Sequence, residues 1–306
     1  MKNVCIIGGS GTKSTLLALR SIEGVKIHSI ISVFDSGGHT GFLRKKMGIY
    51  AIGDIRDNLI ASSGNQEISS ILDQRMEVNG VKHSVGNLVL SSLIRENGGD
   101  YIQIARKILQ IPSNIEIIPV TRDINYDGDL VIETENGELV GEHNLDSGKR
   151  IKVRGIKLSK EAYLNPDAES AIKEADYIFF GPGDIYSSIL VNTLVRGFHS
   201  AFKESKAKKI LVMNIMNKMN ETDGFAASDF VKAFHDYGIR FDKIIVNTKK
   251  PKTTQKMSKY GRLCGFVKND IEGEDVIADD VVDEDMPFQH DVDKLSLVLN
   301  RVIKDA

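Results

Sequence analysis

The sequence predicts an α/β fold of three layers, Rossmann-like, with a largely parallel sheet, helices on both faces and a small β insertion. Two observations predict it. Short β-branched runs alternate with stretches of helical periodicity. Most of those runs are apolar nearly throughout, as strands covered on both faces are. In order, strands are expected at about 3–7, 28–34, 115–120, 176–180, 209–214 and 243–247. Helical patterns fall between them, at about 13–21, 54–63, 84–94, 100–109, 186–204 and 228–237, with a C-terminal helix over 294–302. The stretch from Thr121 to Leu164 breaks the rhythm. It holds two short β-type runs around Asn136-Gly137, a pair suited to a type I′ hairpin turn, and reads as an insertion inside one domain spanning 1–306. Residues 270–287 are strongly acidic and read as a solvated surface segment.

Composition narrows the class. The 306 residues are 41% hydrophobic and 27% charged, enough to bury a core without staples. A net charge of -2 and a pI near 6.4 argue against a nucleic-acid partner. Cys5 and Cys264 cannot make a disulfide framework and point to a reducing compartment; Cys5, inside an apolar strand, reads as a small buried hydrophobe. No apolar run approaches the ~18 residues that span a bilayer. The apolar stretch Val4–Ile7 stops at Gly8-Gly9, unlike a signal peptide. The expectation is a cytoplasmic globular protein without a membrane partner.

Four segments carry candidate binding chemistry. The first strand runs into Gly8, Gly9, Ser10, Gly11 and Thr12, where backbone N–H groups and a helix N-terminus can approach an anion. A P-loop is excluded, because its glycine positions fall on Ile7 and Thr12. The dinucleotide fingerprint matches Gly9 and Gly11 but ends on Ser14. A tight turn with no ligand would use the same glycines. After the second strand come Asp35, Ser36, Gly37 and Gly38, a ligand-wrapping loop or a plain surface turn. Asp54 reads as a helix N-cap; together Asp35 and Asp54 could hold a hard cation such as magnesium.

A second strand–turn–helix lies at Gly181-Pro182-Gly183, with Asp184, Ser187 and Ser188 placed for capping or for ligand contacts. Asn214 could bond a base or sugar, while Met213 and Met216 read as core. His83 reads as a loop or supporting residue. The seven histidines show no metal-ligand spacing, and no nucleophile elbow or kinase signature appears. No catalytic set is identified.

Taken together these blocks resemble the YvcK/CofD family. Its YvcK branch carries G-G-G-T-G, D-D-G-G-S-S-G-x-L-R, G-D-I-R-N, H-S-x-G-N-L, G-P-G-S-L-Y-T-S and N-I-M…E-T-D-G-Y. These stand here at Gly8–Thr12, Asp35–Arg44, Gly53–Asp57, His83–Leu88, Gly181–Ser188 and Asn214–Phe225. The resemblance implies a pocket that includes Asn87 and, from a tyrosine tied to nucleotide-sugar recognition, Tyr260. CofD-like members resemble magnesium-dependent 2-phospho-lactate transferases that build a deazaflavin coenzyme. YvcK-like members, known as gluconeogenesis factors, resemble UDP-sugar binders that influence carbon allocation and cell-wall synthesis. The G-x-L-R and G-P-G-x-x-Y blocks put this chain on the YvcK side.

Three positions depart from the family pattern. Gly11 shifts a glycine within the first loop, Ser36 replaces the second of two acids, and Gln289 replaces a late arginine. A lone Asp35 weakens metal-dependent transfer, since a hard cation wants clustered carboxylates. Losing the arginine removes a fork suited to phosphate or to stacking on a base. The expected function is therefore a regulatory binder of a UDP-sugar or related phosphorylated nucleotide that does not need magnesium. A CofD-type magnesium-dependent transferase is the alternative. A third reading, resting only on the glycine loop and Asp35, is a nicotinamide-dependent oxidoreductase. A homodimer is expected on general grounds alone.

Overall fold

The computed structural model describes residues 1–78, 80–146, 151–250 and 263–304. Seven of the described strands form one sheet: β1 (Lys2–Gly8), β2 (Val25–Ile31), β5 (Ile115–Pro119), β9 (Tyr177–Phe180), β10 (Lys208–Val212), β12 (Lys243–Asn247) and β14 (Val276–Asp279). Their order is β14-β12-β10-β9-β1-β2-β5, and every pairing is parallel. Three smaller antiparallel sheets surround it. They are the hairpin β3 (Arg75–Val78) with β4 (Val81–Ser84), the trio β6 (Leu130–Thr134), β7 (Gly137–Val140) and β8 (Val153–Leu158), and the pair β11 (Met216–Lys218) with β13 (Leu263–Phe266).

Val4, Ile6 and Ile7 of β1 and Phe179 and Phe180 of β9 are fully buried, because helices cover both faces. On one face α1 (Lys13–Arg20) packs with α3 (Gly53–Ala61) and the C-terminal α10 (Val292–Lys304). On the other, α7 (Pro166–Glu174) packs with α8 (Phe198–Glu204). The remaining helices are α2 (Gly38–Met47), α4 (Gln66–Leu72), α5 (Val85–Asn97), α6 (Tyr101–Ile108) and α9 (Ala227–Asp236). Cys5 lies within this core, and its thiol donates to the Ala171 carbonyl at 3.0 Å. Among the described residues no helix is long and apolar enough to cross a membrane.

Four local expectations are corrected. The second strand ends at Ile31, not at Phe34; Val33 and Phe34 are apolar because they are buried beneath a loop, with Phe34 edge-on to Tyr126. The stretch 186–204 is not one helix. A π turn (Ile185–Ile189) and a 3-10 turn (Leu190–Leu194) precede α8, separated from it by Gly197 at φ +99°. There the Asn192 side chain donates to Ser188 and Ile189 carbonyls and competes with regular helix bonding. In the hairpin, Thr134 pairs with Gly137, so Glu135-Asn136 form the tip, and the positive φ falls on Gly137. The acidic stretch is also built into the fold: β14 is an edge strand of the main sheet, and Val281 and Val282 are buried. Apolar residues between its acids dock, while Lys294 and Arg301 pair with Asp280 and Asp279.

The topology sets the site. From β1 the chain adds β2 and β5 on one side, then returns to add β9, β10, β12 and β14 on the other. This reversal splays the connections leaving β1 and β9 and opens a crevice at their carboxyl ends.

Candidate ligand crevice

Two glycine turns meet at that switch point. The first leaves β1 through Gly8 and Gly9 and a 3-10 turn (Ser10–Thr12) into α1. Thr12 Oγ1 and Asn58 Nδ2 donate to the Gly9 carbonyl at 2.6 and 3.2 Å, and Asn192 Nδ2 donates to that of Gly8 at 3.4 Å. The second leaves β9 through Gly181, at φ +74°, Pro182 and Gly183, at φ +153°. Thr15 Oγ1 of α1 donates to the Gly181 carbonyl at 2.9 Å, tying the two turns together. Gly11 explains how close they come. A Cβ there would lie 2.7 Å from Gly183 Cα and 2.7 Å from the Pro182 carbonyl. The glycine shifted from the family position is thus the contact point between turns.

Carboxylates line the floor. Asp35, in the loop after β2, accepts the Gly37 N–H at 2.6 Å. Its carboxyl hydrogen-bonds that of Glu142, which the β insertion delivers just past β7. Burial raises both pKa values, and for Glu142 the Asp35 charge raises it further. Asp54 is not the N-cap of α3, a position taken by Ile52. It sits in the first turn, partly buried at the crevice, where it accepts hydrogen bonds from the backbone and hydroxyl of Ser10. Burial, then the charges of Asp35 and Asp57, push it up to about 7.

Beside the second turn lies a buried ion cluster. Lys218, at the end of β11, places Nζ against Asp184, 3.0 Å from Glu221 and 3.7 Å from Glu142. Burial works against its ammonium, but these three carboxylates hold it charged, well above the ordinary lysine range. Glu221 also accepts from the Tyr186 N–H at 3.2 Å and the Ser187 hydroxyl at 2.9 Å.

The rim is basic. Arg75 of β3, His39 at the start of α2 and His143 after β7 line the opening. His39 Nδ1 accepts the Ser84 N–H at 3.3 Å, so its Nε2 carries the proton and donates to His83 Nδ1 at 3.1 Å. His83 supports His39 from β4. The resulting crevice has a volume of about 420 Å³.

The residues singled out from the sequence divide into three groups. Ser10, Asp35, Gly37, Gly38, Asp54, Asp184 and Ser188 line the crevice. Gly8, Gly9, Gly11, Thr12, Gly181 and Gly183 shape its two turns. Ser187, Asn87 and Asn214 stand behind them. Asn87 accepts from Arg56 at 3.0 Å, while Asn214 takes the Gly183 N–H at 3.1 Å and donates to the Gly183 carbonyl at 2.8 Å. Both ends of the Asn214 amide are thereby committed to the second turn. Tyr260 lies outside the described residues, and Gln289 bonds through its backbone to Met286 and Asp283. Glu142, Arg75, Lys218 and Glu221 were not singled out for chemistry. Nothing in sequence joins residue 142 to residue 35, although Lys218 and Glu221 fall within a recognised block. Glu142 also corrects the view of Asp35 as a lone acid: the carboxylate that Ser36 does not provide comes from the insertion.

Fold and site together define a doubly wound α/β protein with a carboxylate-floored, basic-rimmed crevice at the switch point of its sheet. Comparison with known proteins makes this specific. The family described as 2-phospho-L-lactate transferase CofD matches residues 4–287, and the chain belongs to that family. It is 35% identical over 275 residues to a gluconeogenesis factor of Halalkalibacterium halodurans, covering 85% of this chain and 82% of the relative. It is 31% identical to the gluconeogenesis factor of Bacillus subtilis, covering 99% and 98%. A crystal structure of a UPF0052 family protein from Bacillus halodurans superposes with a TM-score of 0.87 at 30% identity, covering 97% of this chain and 98% of that one.

Proposed function

We propose that the crevice binds a UDP-sugar or a related phosphorylated nucleotide, with a divalent cation such as magnesium between its phosphate and the acidic floor. In this reading the protein is a cytoplasmic nucleotide-sugar sensor acting on carbon allocation or cell-wall synthesis. One observation carries the proposal: Asp35 and Glu142 stand carboxyl to carboxyl, with Asp54 and Asp184 on the same crevice. Bare carboxylates repel phosphate, so an anionic ligand fits this floor only with a cation between them. The donor set fits a hard ion, being built of oxygen ligands, and a cation between the paired carboxyls would offset the charge that burial and proximity penalise. Asp35 and Glu142 would hold such an ion, which would neutralise and orient the phosphate. Arg75, at the opening, would meet a second anionic group on the ligand.

This departs from the magnesium-independent binding expected of a regulator. The same floor supports a second reading, CofD-type transfer of a phosphorus-containing group, in keeping with the family. Calorimetric titration with UDP-N-acetylglucosamine, in magnesium and in EDTA, tests the proposal. Binding that needs magnesium, with no product formed, supports the sensor. Turnover with a phosphorylated donor and a deazaflavin acceptor would favour the transferase. Equal affinity in EDTA, or none in either buffer, would overturn the cation-bridged site.

A further inference from the structure

Lys218 is unusual among the lysines described, because its ammonium is buried and enclosed by carboxylates from three separate elements. Glu142 comes from the β insertion, Asp184 from the turn after β9, and Glu221 from the turn after β11. Their side chains each offer an oxygen, and these oxygens all lie within 4.8 Å of one another. Opposed oxygens around a calcium-sized ion at ~2.3–2.6 Å are about 5 Å apart. The spacing is therefore that of a divalent-ion cage, and a protein ammonium fills it.

We propose that Lys218 is a built-in cation standing where a metal ion would otherwise sit. It keeps divalent ions out of the Glu142–Asp184–Glu221 cluster beside the crevice and confines them to the Asp35 end. Lys218 is thus a positioning residue. By occupying the space between Asp184 and Glu221, it leaves Asp35, Asp54 and one face of Glu142 as the place open to an external cation. A phosphate-bearing ligand would accordingly dock against the first glycine turn and not midway between the two. Lysine suits such a position, since its compact ammonium donates to Asp184 and Glu221 and stands within ion-pair reach of Glu142, whereas arginine's planar fork favours one bidentate partner. The proposal goes beyond the nucleotide-sugar reading and is tested without any nucleotide.

The test counts manganese ions bound per chain, by electron paramagnetic resonance of free Mn²⁺, in the full-length protein and in Lys218→Met. Methionine keeps much of the side-chain volume and removes the charge. Lys218→Met is expected to bind one more ion per chain than the wild type, and adding Glu221→Gln should abolish the gain. Lys218→Arg, which keeps a positive charge, should gain none. An unchanged count in Lys218→Met, or a gain in Lys218→Arg, overturns the proposal. Should Lys218→Met fold poorly in metal-free buffer, manganese is expected to raise its Tm more than that of the wild type, and an equal rise contradicts the proposal. A wild type that binds no manganese at all would instead defeat the cation-bridged reading of the crevice. The ion gained by the variant would still decide the role of Lys218.

Discussion

The two glycine turns look alike in sequence, each a strand running through glycines toward a helix, yet their acids are handled in opposite ways. Around the second turn, Asp184 and Glu221 close on Lys218 and their charge is answered within the protein. At the first, Asp54 is partly buried against Ser10 with Asp35 and Asp57 nearby, and it stays acidic only weakly, with a pKa near 7. An ammonium stands among the acids of the second turn, whereas at the first, burial and the neighbouring acids push Asp54 toward its protonated form. The difference places the demand for an external ion at the end of β1. Similar turn sequences do not imply similar roles, because the partners come from distant parts of the chain.

The contrast can be broken most strongly through pH. Asp54 has a folded-state pKa of about 7, above its ordinary 3.8. The folded state therefore holds more protons than the unfolded chain between these values. Its stabilising contribution is complete below the lower value and is lost as pH rises through the upper one. Relative to Asp54→Asn, the ligand-free wild type should lose on the order of 3 kcal/mol between about pH 4 and 8, measured by urea unfolding. Parallel stability profiles would mean that the first turn is balanced after all.

Gly11→Ala comes next. Its methyl would meet backbone on both sides, Gly183 Cα and the Pro182 carbonyl, and backbone yields poorly. A loss of about 2–3 kcal/mol and of ligand binding is expected from denaturation and calorimetry. Asn214→Ala removes two hydrogen bonds to Gly183 and should cost about 2 kcal/mol, loosening the second turn alone. Magnesium affinity should survive that change. The smallest effect is expected at Gly8, where an added Cβ lies 2.5 Å from Thr12 Cγ2, a side-chain methyl. Gly8→Ala should cost roughly 1 kcal/mol. Thr12→Ser, which removes that methyl and keeps the hydroxyl bonded to Gly9, should recover most of it. Failure of that rescue in thermal melts would show the crowding to lie elsewhere.

Much of the frame was legible because its signals are local. Apolar runs such as VCII and YIFF can only be strands covered on both sides, and glycines at their ends mark a turn. Asp35, Asp54 and Asp184 stood out as acids beside those glycines. Other features depend on tertiary partners and left little local trace. Glu142 acquires its role only when the insertion folds back over the loop after β2. Asn214 reads as a ligand contact because a free amide and one bound to Gly183 look the same in sequence. Asp54 resembled a cap, since an acid at a helix start is usually one, but its carboxyl is turned into the first loop instead. The broken helix over 185–204 was hidden because helical periodicity persists through its π and 3-10 turns.

The central claim is that the acids at the end of β1 hold a cation that in turn holds a phosphate. It is tested most directly by anomalous diffraction from crystals grown with manganese and UDP-N-acetylglucosamine. The account predicts one manganese peak between Asp35 and Glu142 with a ligand phosphate against it, and no peak within the cage of Lys218. A nucleotide-sugar seated in the crevice with no ion at Asp35, or manganese found only beside Asp184 and Glu221, would contradict it.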